Sequence, residues 1–254
     1  KRLDTLTWME HASKQKALAK LSNIKLMIGY PDTWRSYDDV QIRALYIENL
    51  LSAYRSGLAY ELQKPGTKVR RDLWSMTPQT VNAYCDFNLV NMVFPAAILQ
   101  PPFFDPKASL AANYGGIGAV IGHELTHSFD DKGSEFDENG NHNPWLSESE
   151  KKSFMTSAQY IIDSANGHEV LPGLFMKGEL VIGELIADLG GAEIAYEALM
   201  DHLRAEKATD NQIKEAALEF FAFNALSSCC ITSDALMREM ALGDPHPDDK
   251  FRVN

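Results

Sequence analysis

Residues 122–130 read GHELTHSFD, and that string restricts the possible folds more than any other stretch of the chain. His123 and His127 stand four apart, so on a helix they lie one turn above the other and their rings can reach a single cation. Glu124 is one position round, beside such an ion rather than on it, where it could take a proton from a water that the ion acidifies. Chance would place two histidines and a glutamate at this spacing in about a per cent of chains of this size. Two imidazoles and a carboxylate beside the apolar run GGIGAVIG would also be costly to bury without a metal or partners.

A catalytic zinc takes three protein ligands and keeps one position open, so a further His, Asp or Glu is needed. Glu184, within GELIADLGG, is the candidate, on a helix expected over 180–202 whose Leu180, Leu185 and Leu189 face inward. Asp188 follows one turn later and could orient a ligand imidazole. By spacing alone, the two acids read equally well as a solvated face. Asp130 and Asp131 come at the expected end of the first helix, where the dipole disfavours negative charge. A metal-bound His127 would compensate, with Asp130 accepting its other ring proton; a plain loop acid is the other reading. One Zn2+ ion is the expected cofactor.

Hydrophobic periodicity predicts a mainly α chain with a small β-sheet, an α+β class. A first helix is expected over 9–28, with Ala17, Leu21, Ile24 and Ile28 on one face and Gly29 and Pro31 as its stop. A second is expected over 39–62, carrying Leu45, Leu50, Leu51, Tyr54 and Leu58 and ended by Pro65 and Gly66; both would serve as walls. Helical patterning returns at 116–129, 147–165 and 211–227. VNAYC and NMVF read as short strands joined by a turn at 86–88, the one clear β signal. No repeat or long linker divides the chain, so residues 1–254 are expected to form a single unit.

The formal net charge of −11 opposes binding to phosphate backbones or anionic lipid, so nucleic acid is excluded as an expected partner. Charged residues from Lys1 to Lys25 interrupt every apolar stretch near the start, leaving no segment for a signal peptide or a membrane span. Cys85, Cys229 and Cys230 are too few for a disulfide framework and are expected as packing residues, a bridge from Cys85 to one of the adjacent pair being the alternative. These features lean toward a cytoplasmic protein, with an extracytoplasmic or secreted one as the alternative.

Five strings in order, VNAY (81–84), VFPAAILQPPFF (93–104), GHELTHSFDD (122–131), GELIADLGG (183–191) and KFRVN (250–254), together resemble the neprilysin-like family of zinc endopeptidases. WMEHASKQKALAKL and IGYPDTW near the start are also similar to that family, so the resemblance spans nearly the whole chain. It implies a thermolysin-like zincin catalytic domain, with Glu184 joining His123 and His127 on zinc and Asp188 behind one imidazole. Asn82 and Ala83 match the edge strand that holds an extended substrate backbone, while Tyr84 is expected only to pack. His246 matches the histidine that stabilises the oxyanion, and Arg252 the arginine that grips the substrate carbonyl beyond the cut bond. Without the family, both read as solvated tail residues. His11, His142, His168 and His202 match nothing and are expected at the surface.

The chain begins where the family's N-terminal helical lobe is ending and stops short of its usual C-terminal segment. A lost lobe or an additional chain completing the cleft is therefore implied. Leu185 stands where the family usually has a polar residue, and Met176, Lys177 and Gly178 replace its asparagine-glycine turn; neither change removes a ligand. The expected function is a zinc metalloendopeptidase that cuts small to medium peptides with a water activated by Glu124. An inactive zinc-stabilised relative that binds peptides or a subunit is the alternative from another class, opposed by the intact Glu124. An aminopeptidase would need an acidic cluster for a free amino terminus, and no such motif is present.

Overall fold

In the computed structural model, which describes residues 2–253, a short helix α1 (Arg2–Thr5) leads into α2 (His11–Asn23). The apolar run that follows does not prolong the helix. Ile24 is extended, and Lys25–Gly29 forms strand β1, of which only Met27 is fully buried. The helix expected over 9–28 is corrected accordingly, because a short apolar run reads alike for helix and strand until its neighbour is known. The neighbour here is a buried strand from residues far along the chain.

Helix α3 (Tyr46–Leu62) also starts later than expected. Ser52 Oγ accepts from the Gln41 N–H at 2.8 Å, and the Asn49 side chain bonds both the N–H and the carbonyl of Arg43, at 2.6 and 3.0 Å. These side-chain bonds give residues 41–43 an alternative to helix. Leu50, Leu51, Tyr54 and Leu58 are exposed.

Strands β2 (Tyr84–Asp86) and β3 (Asn91–Pro95) complete a three-stranded sheet of order β1-β3-β2. β1 runs parallel to β3, with Met27 opposite Val93, and β2 runs antiparallel, with Cys85 opposite Met92. All of β3 is buried, and β2 is an edge. Asn82 and Ala83, expected within the strand, lie just before it; Asn82 Oδ1 accepts from the Ala83 N–H at 2.8 Å. The turn into β3 ends at Val90 with φ 47°, which a β-branched residue rarely adopts. The Val90 carbonyl accepts from Lys25 N–H at 2.9 Å and Arg71 Nη2 at 2.7 Å, and these bonds hold it there.

Helix α4 (Leu110–Asn113), capped by Ser109 Oγ, runs through a π turn (Tyr114–Gly118) into α5 (Ala119–His127). α6 (Glu148–Asn166) opens with a capping box of Ser147 and Glu150. Buried Glu150 also accepts from Glu10 N–H and Ser13 Oγ, at 2.7 and 2.8 Å, which ties α6 to the start of α2. β4 (Glu169–Leu171) and β5 (Leu174–Phe175) form a hairpin that the sequence pattern did not announce. α7 (Gly178–Ala205), α8 (Asp210–Ser227), α9 (Asp234–Gly243) and α10 (Asp249–Arg252) follow.

Two apolar clusters flank α5. Ala119 packs with Leu199 and Phe220 from α7 and α8, and Ile117 packs with Met92 and Phe94 of the sheet. Between α5 and α7 there is backbone contact: a Cβ on Gly122 would lie 2.5 Å from the Gly191 carbonyl oxygen, and one on Gly191 2.4 Å from the His123 nitrogen. Side chains normally keep packed helices 8–10 Å apart; glycine on both sides removes that spacer. Among the described residues, no helix is long and apolar enough to cross a membrane.

Candidate metal centre

The close approach of α5 and α7 sets His123 and His127 opposite Glu184 and Asp188. His123 Nδ1–H donates to Asp188 Oδ1 at 2.9 Å, and His127 Nδ1–H donates to Asp130 Oδ2 at 2.7 Å. Each carboxylate fixes the proton on Nδ1 and leaves the Nε2 lone pair free to ligate. The two Nε2 atoms lie 2.9 Å apart, with Glu184 Oε2 3.3 Å from one and Oε1 3.4 Å from the other. Glu184 Oε2 is buried and has no hydrogen-bond partner.

Three electron-rich atoms converging in this way repel one another unless positive charge sits among them. Two imidazole nitrogens and a carboxylate oxygen form the donor set of a catalytic zinc site, and all three residues offer ligand atoms within 4.8 Å of one another. The cluster therefore fits zinc. The titration behaviour of the protein groups alone agrees. Burial pulls the His123 imidazole down, but the hydrogen bond to Asp188 and the facing Glu184 carboxylate outweigh it and raise the pKa to about 9. His127, also opposed by burial, rises to about 10 through Asp130 and Glu184. Burial pushes the Glu184 carboxyl up, yet the two imidazoles facing it hold it well below the usual carboxylate range.

Asp188 takes a second partner. Arg252 Nε donates to its Oδ2 at 2.8 Å and Nη2 to its Oδ1 at 2.6 Å, a two-pronged contact. Asp130 is buried and its Oδ1 accepts from the N–H groups of Lys132 and Gly133, at 2.9 and 2.7 Å. It is no solvated loop acid. Glu124 is buried beside the cluster; burial pushes its carboxyl up, opposed by the charges of His123 and His127. His246 reaches in from the segment before α10, with Nε2 3.7 Å from Glu184 Oε1 and Nδ1–H donating to Asp244 Oδ1 at 2.7 Å.

A cleft of about 1270 Å³ opens over these groups, its walls including Asn82, Ala83, Phe103, Val120 and Leu189. Leu189, expected to face inward, is 58% exposed and belongs to this wall. Leu185 is buried against Ala165, Met176 and Val181. The structure thus gathers His123, Glu124, His127, Asp130, Glu184, Asp188, His246 and Arg252, and places Asn82 and Ala83 on the cleft wall.

Some expectations need correction. His168 is half-buried on the cleft wall and not a free surface residue: its Nε2–H donates to Asp248 Oδ2 at 2.9 Å, and its ring lies 5.1 Å from that of Phe251. No local pattern marks it, since its partner is 80 positions away. His11, His142 and His202 are exposed. All three cysteines are free thiols; Cys229 and Cys230 are exposed rather than packed, and burial raises the Cys85 thiol to about 12. Tyr84 does more than pack, since its hydroxyl oxygen accepts from the Ser75 N–H at 2.6 Å.

Residues 82–254 match the sequence model of Peptidase family M13. Endothelin-converting enzyme 1 of Rattus norvegicus is 35% identical over 268 residues, covering 99% of this chain and 34% of its own length. An endothelin-converting enzyme homolog of Locusta migratoria is 35% identical over 265 residues, covering 99% and 36%. The chain spans about a third of the length of these curated relatives. The crystal structure of Mycobacterium tuberculosis zinc metalloprotease Zmp1 with an inhibitor superposes with a TM-score of 0.91 at 39% identity, over 99% of this chain and 39% of that one. PepO from Lactobacillus rhamnosis superposes with a TM-score of 0.88 at 31% identity, over the same shares of the two chains. Every member of the buried cluster falls inside the matched segment, on a backbone shared with a solved zinc metalloprotease, and the chain therefore belongs to peptidase family M13.

Proposed function

We propose that this chain is the catalytic part of a zinc metalloendopeptidase that hydrolyses internal bonds of small to medium peptides. The observation that carries this reading is the convergence of two Nε2 atoms and the Glu184 carboxylate, one of its oxygens unpartnered, beside buried Glu124 in the lining of an open cleft. Zinc held by His123, His127 and Glu184 would act as a Lewis acid on the substrate carbonyl and bring the pKa of a water down to about 7.

Glu124 is the general base. It takes the proton of the attacking water and then passes it to the leaving amine; burial raises its carboxyl above the ordinary value, which makes it a stronger base than an exposed glutamate. His246, in its imidazolium form with Nδ1–H on Asp244, would donate Nε2–H to the growing oxyanion beside the cluster. Asp130 and Asp188 hold the ring tautomers. Asn82 and Ala83 lead into the unpaired edge of β2 and would hold the peptide extended, as edge pairing requires. Arg252, held on Asp188, would reach the carbonyl beyond the cut bond.

An internally quenched peptide blocked at both ends tests the reading. Cleavage that stops on chelation and returns with zinc supports it, whereas a zinc-loaded protein that leaves a panel of such peptides intact would rule out endopeptidase action. Cleavage confined to substrates with a free amino terminus would point to an exopeptidase instead.

A further inference from the structure

We propose that His168 is a positioning residue for this reaction: by holding Asp248 it seats α10, so that Arg252 keeps its two-pronged contact on Asp188.

His168 stands between α6 and β4, and its carbonyl accepts from the Met176 N–H at 3.0 Å, so the hairpin closure fixes its backbone. Its side chain then crosses to a different part of the chain. Nε2–H donates to Asp248 Oδ2 at 2.9 Å, and the ring packs on Phe251 at 5.1 Å between centroids. Asp248 is the residue from which α10 starts. Its carbonyl accepts the N–H groups of Phe251 and Arg252, at 2.9 and 3.2 Å, while its side chain makes no cap bond of its own. That side chain is committed to His168 instead.

A helix of four residues is far too short to persist by itself. α10 must be fixed by contacts outside it, and His168 supplies two of them, to its cap and to its ring-bearing residue. The last residue of α10 is Arg252, which holds Asp188, and Asp188 in turn holds His123. A continuous run of contacts therefore links the hairpin to a ligand ring. Two rival accounts exist. His168 could be mere packing, or, since it lines the cleft, it could touch the peptide directly.

The kinetic part of this inference rests on the peptidase reading, and the test separates the two. His168→Ala, His168→Gln, Arg252→Ala and the double variant His168→Ala/Arg252→Ala would be compared by amide hydrogen exchange of 249–253 and by kcat and KM on the blocked peptide. His168→Ala is expected to speed exchange in 249–253 but not in α7, and to lower kcat about 10-fold, the scale for an outer partner of a metal ligand. His168→Gln keeps an N–H donor and should recover most of both effects. In the Arg252→Ala background, His168→Ala should cost nothing more, as coupled residues require. Unchanged exchange in His168→Ala would overturn the proposal, as would additive losses in the double variant or a change confined to KM. Should His168→Ala fail to fold, Asp248→Ala removes the same contact from the other side and is read in the same way. If the wild-type chain cuts no peptide, the peptidase reading fails, while exchange and its rescue by glutamine still decide the role of His168.

Discussion

His123 Nε2 and His127 Nε2 face each other at 2.9 Å, each with its Nδ1 proton committed to a carboxylate. Nitrogens at that distance need positive charge between them, which a divalent cation supplies to both rings and to Glu184 at once, so the folded state should be stabilised by one. Zinc is expected to raise Tm and chelation to lower it. A ligand bound at 100 times its Kd adds about 2.7 kcal/mol. Thermal unfolding with and without zinc at fixed pH checks this; a Tm indifferent to zinc would contradict the site.

Glu124 is buried next to the ligands without being one of them. Glu124→Gln should bind zinc as the parent does and lose turnover by roughly 10² to 10⁴, the usual worth of a general base. Metal content and kcat measured on the same sample decide the matter. Full activity would remove Glu124 from the mechanism.

His246 reaches the cluster from a segment outside α5 and α7. Replacement by Ala is expected to lower kcat with KM little altered, because oxyanion stabilisation acts in the transition state. Steady-state kinetics across substrate concentration separates the two parameters, and an effect on KM alone would make His246 a binding residue.

Gly191→Ala should force α5 and α7 apart, since its Cβ would meet the His123 nitrogen at 2.4 Å. Overpacking of this kind costs about 1–3 kcal/mol. Zinc affinity should fall with stability, because the ligands sit on opposite sides of the seam. Gly57→Ala, whose Cβ meets nothing within 4 Å, is the control. Denaturant melts and zinc competition with a chelator would show it.

Lys20 gives a pH signature away from the metal. Its ammonium is buried and donates to the carbonyls of Gly133 and Phe136, at 2.7 and 2.8 Å. Burial lowers its pKa from 10.5 to about 8, although Cys85, Asp130 and Asp137 favour the charge. Between those two values the unfolded chain binds more protons, so stability should rise with pH across that window and lose this contribution as pH falls through 8. The stability difference between wild type and Lys20→Met, followed by urea melts from pH 7 to pH 11, isolates the effect. A difference that does not change with pH would disprove it.

What could be read in advance follows from where the determining contacts lie. His123 and His127 share one helical turn, so their spacing alone brings them together; Glu184 and Asp188 likewise share a face of α7. That these two faces meet depends on Gly122 against Gly191, for which spacing has no signature; spacing makes Glu184 a candidate ligand and leaves a solvated face equally open, and the family resemblance decides between them. KLMIG could not be told from helix because its strand partner, β3, lies more than sixty positions away. The same reason hid His168, whose bond to Asp248 exists only once α10 has docked. Exposed Leu50, Leu51, Tyr54 and Leu58 show the converse: a helix recognised by apolar periodicity whose apolar side meets solvent in this chain.

Because only main chain meets at Gly122 and Gly191, the separation of the two backbones that carry the ring nitrogens and the Glu184 carboxylate is set by peptide contact there, not by the rotamers of intervening side chains. Side chains around the cleft could then be exchanged to suit other peptides while the metal cage stays the same size.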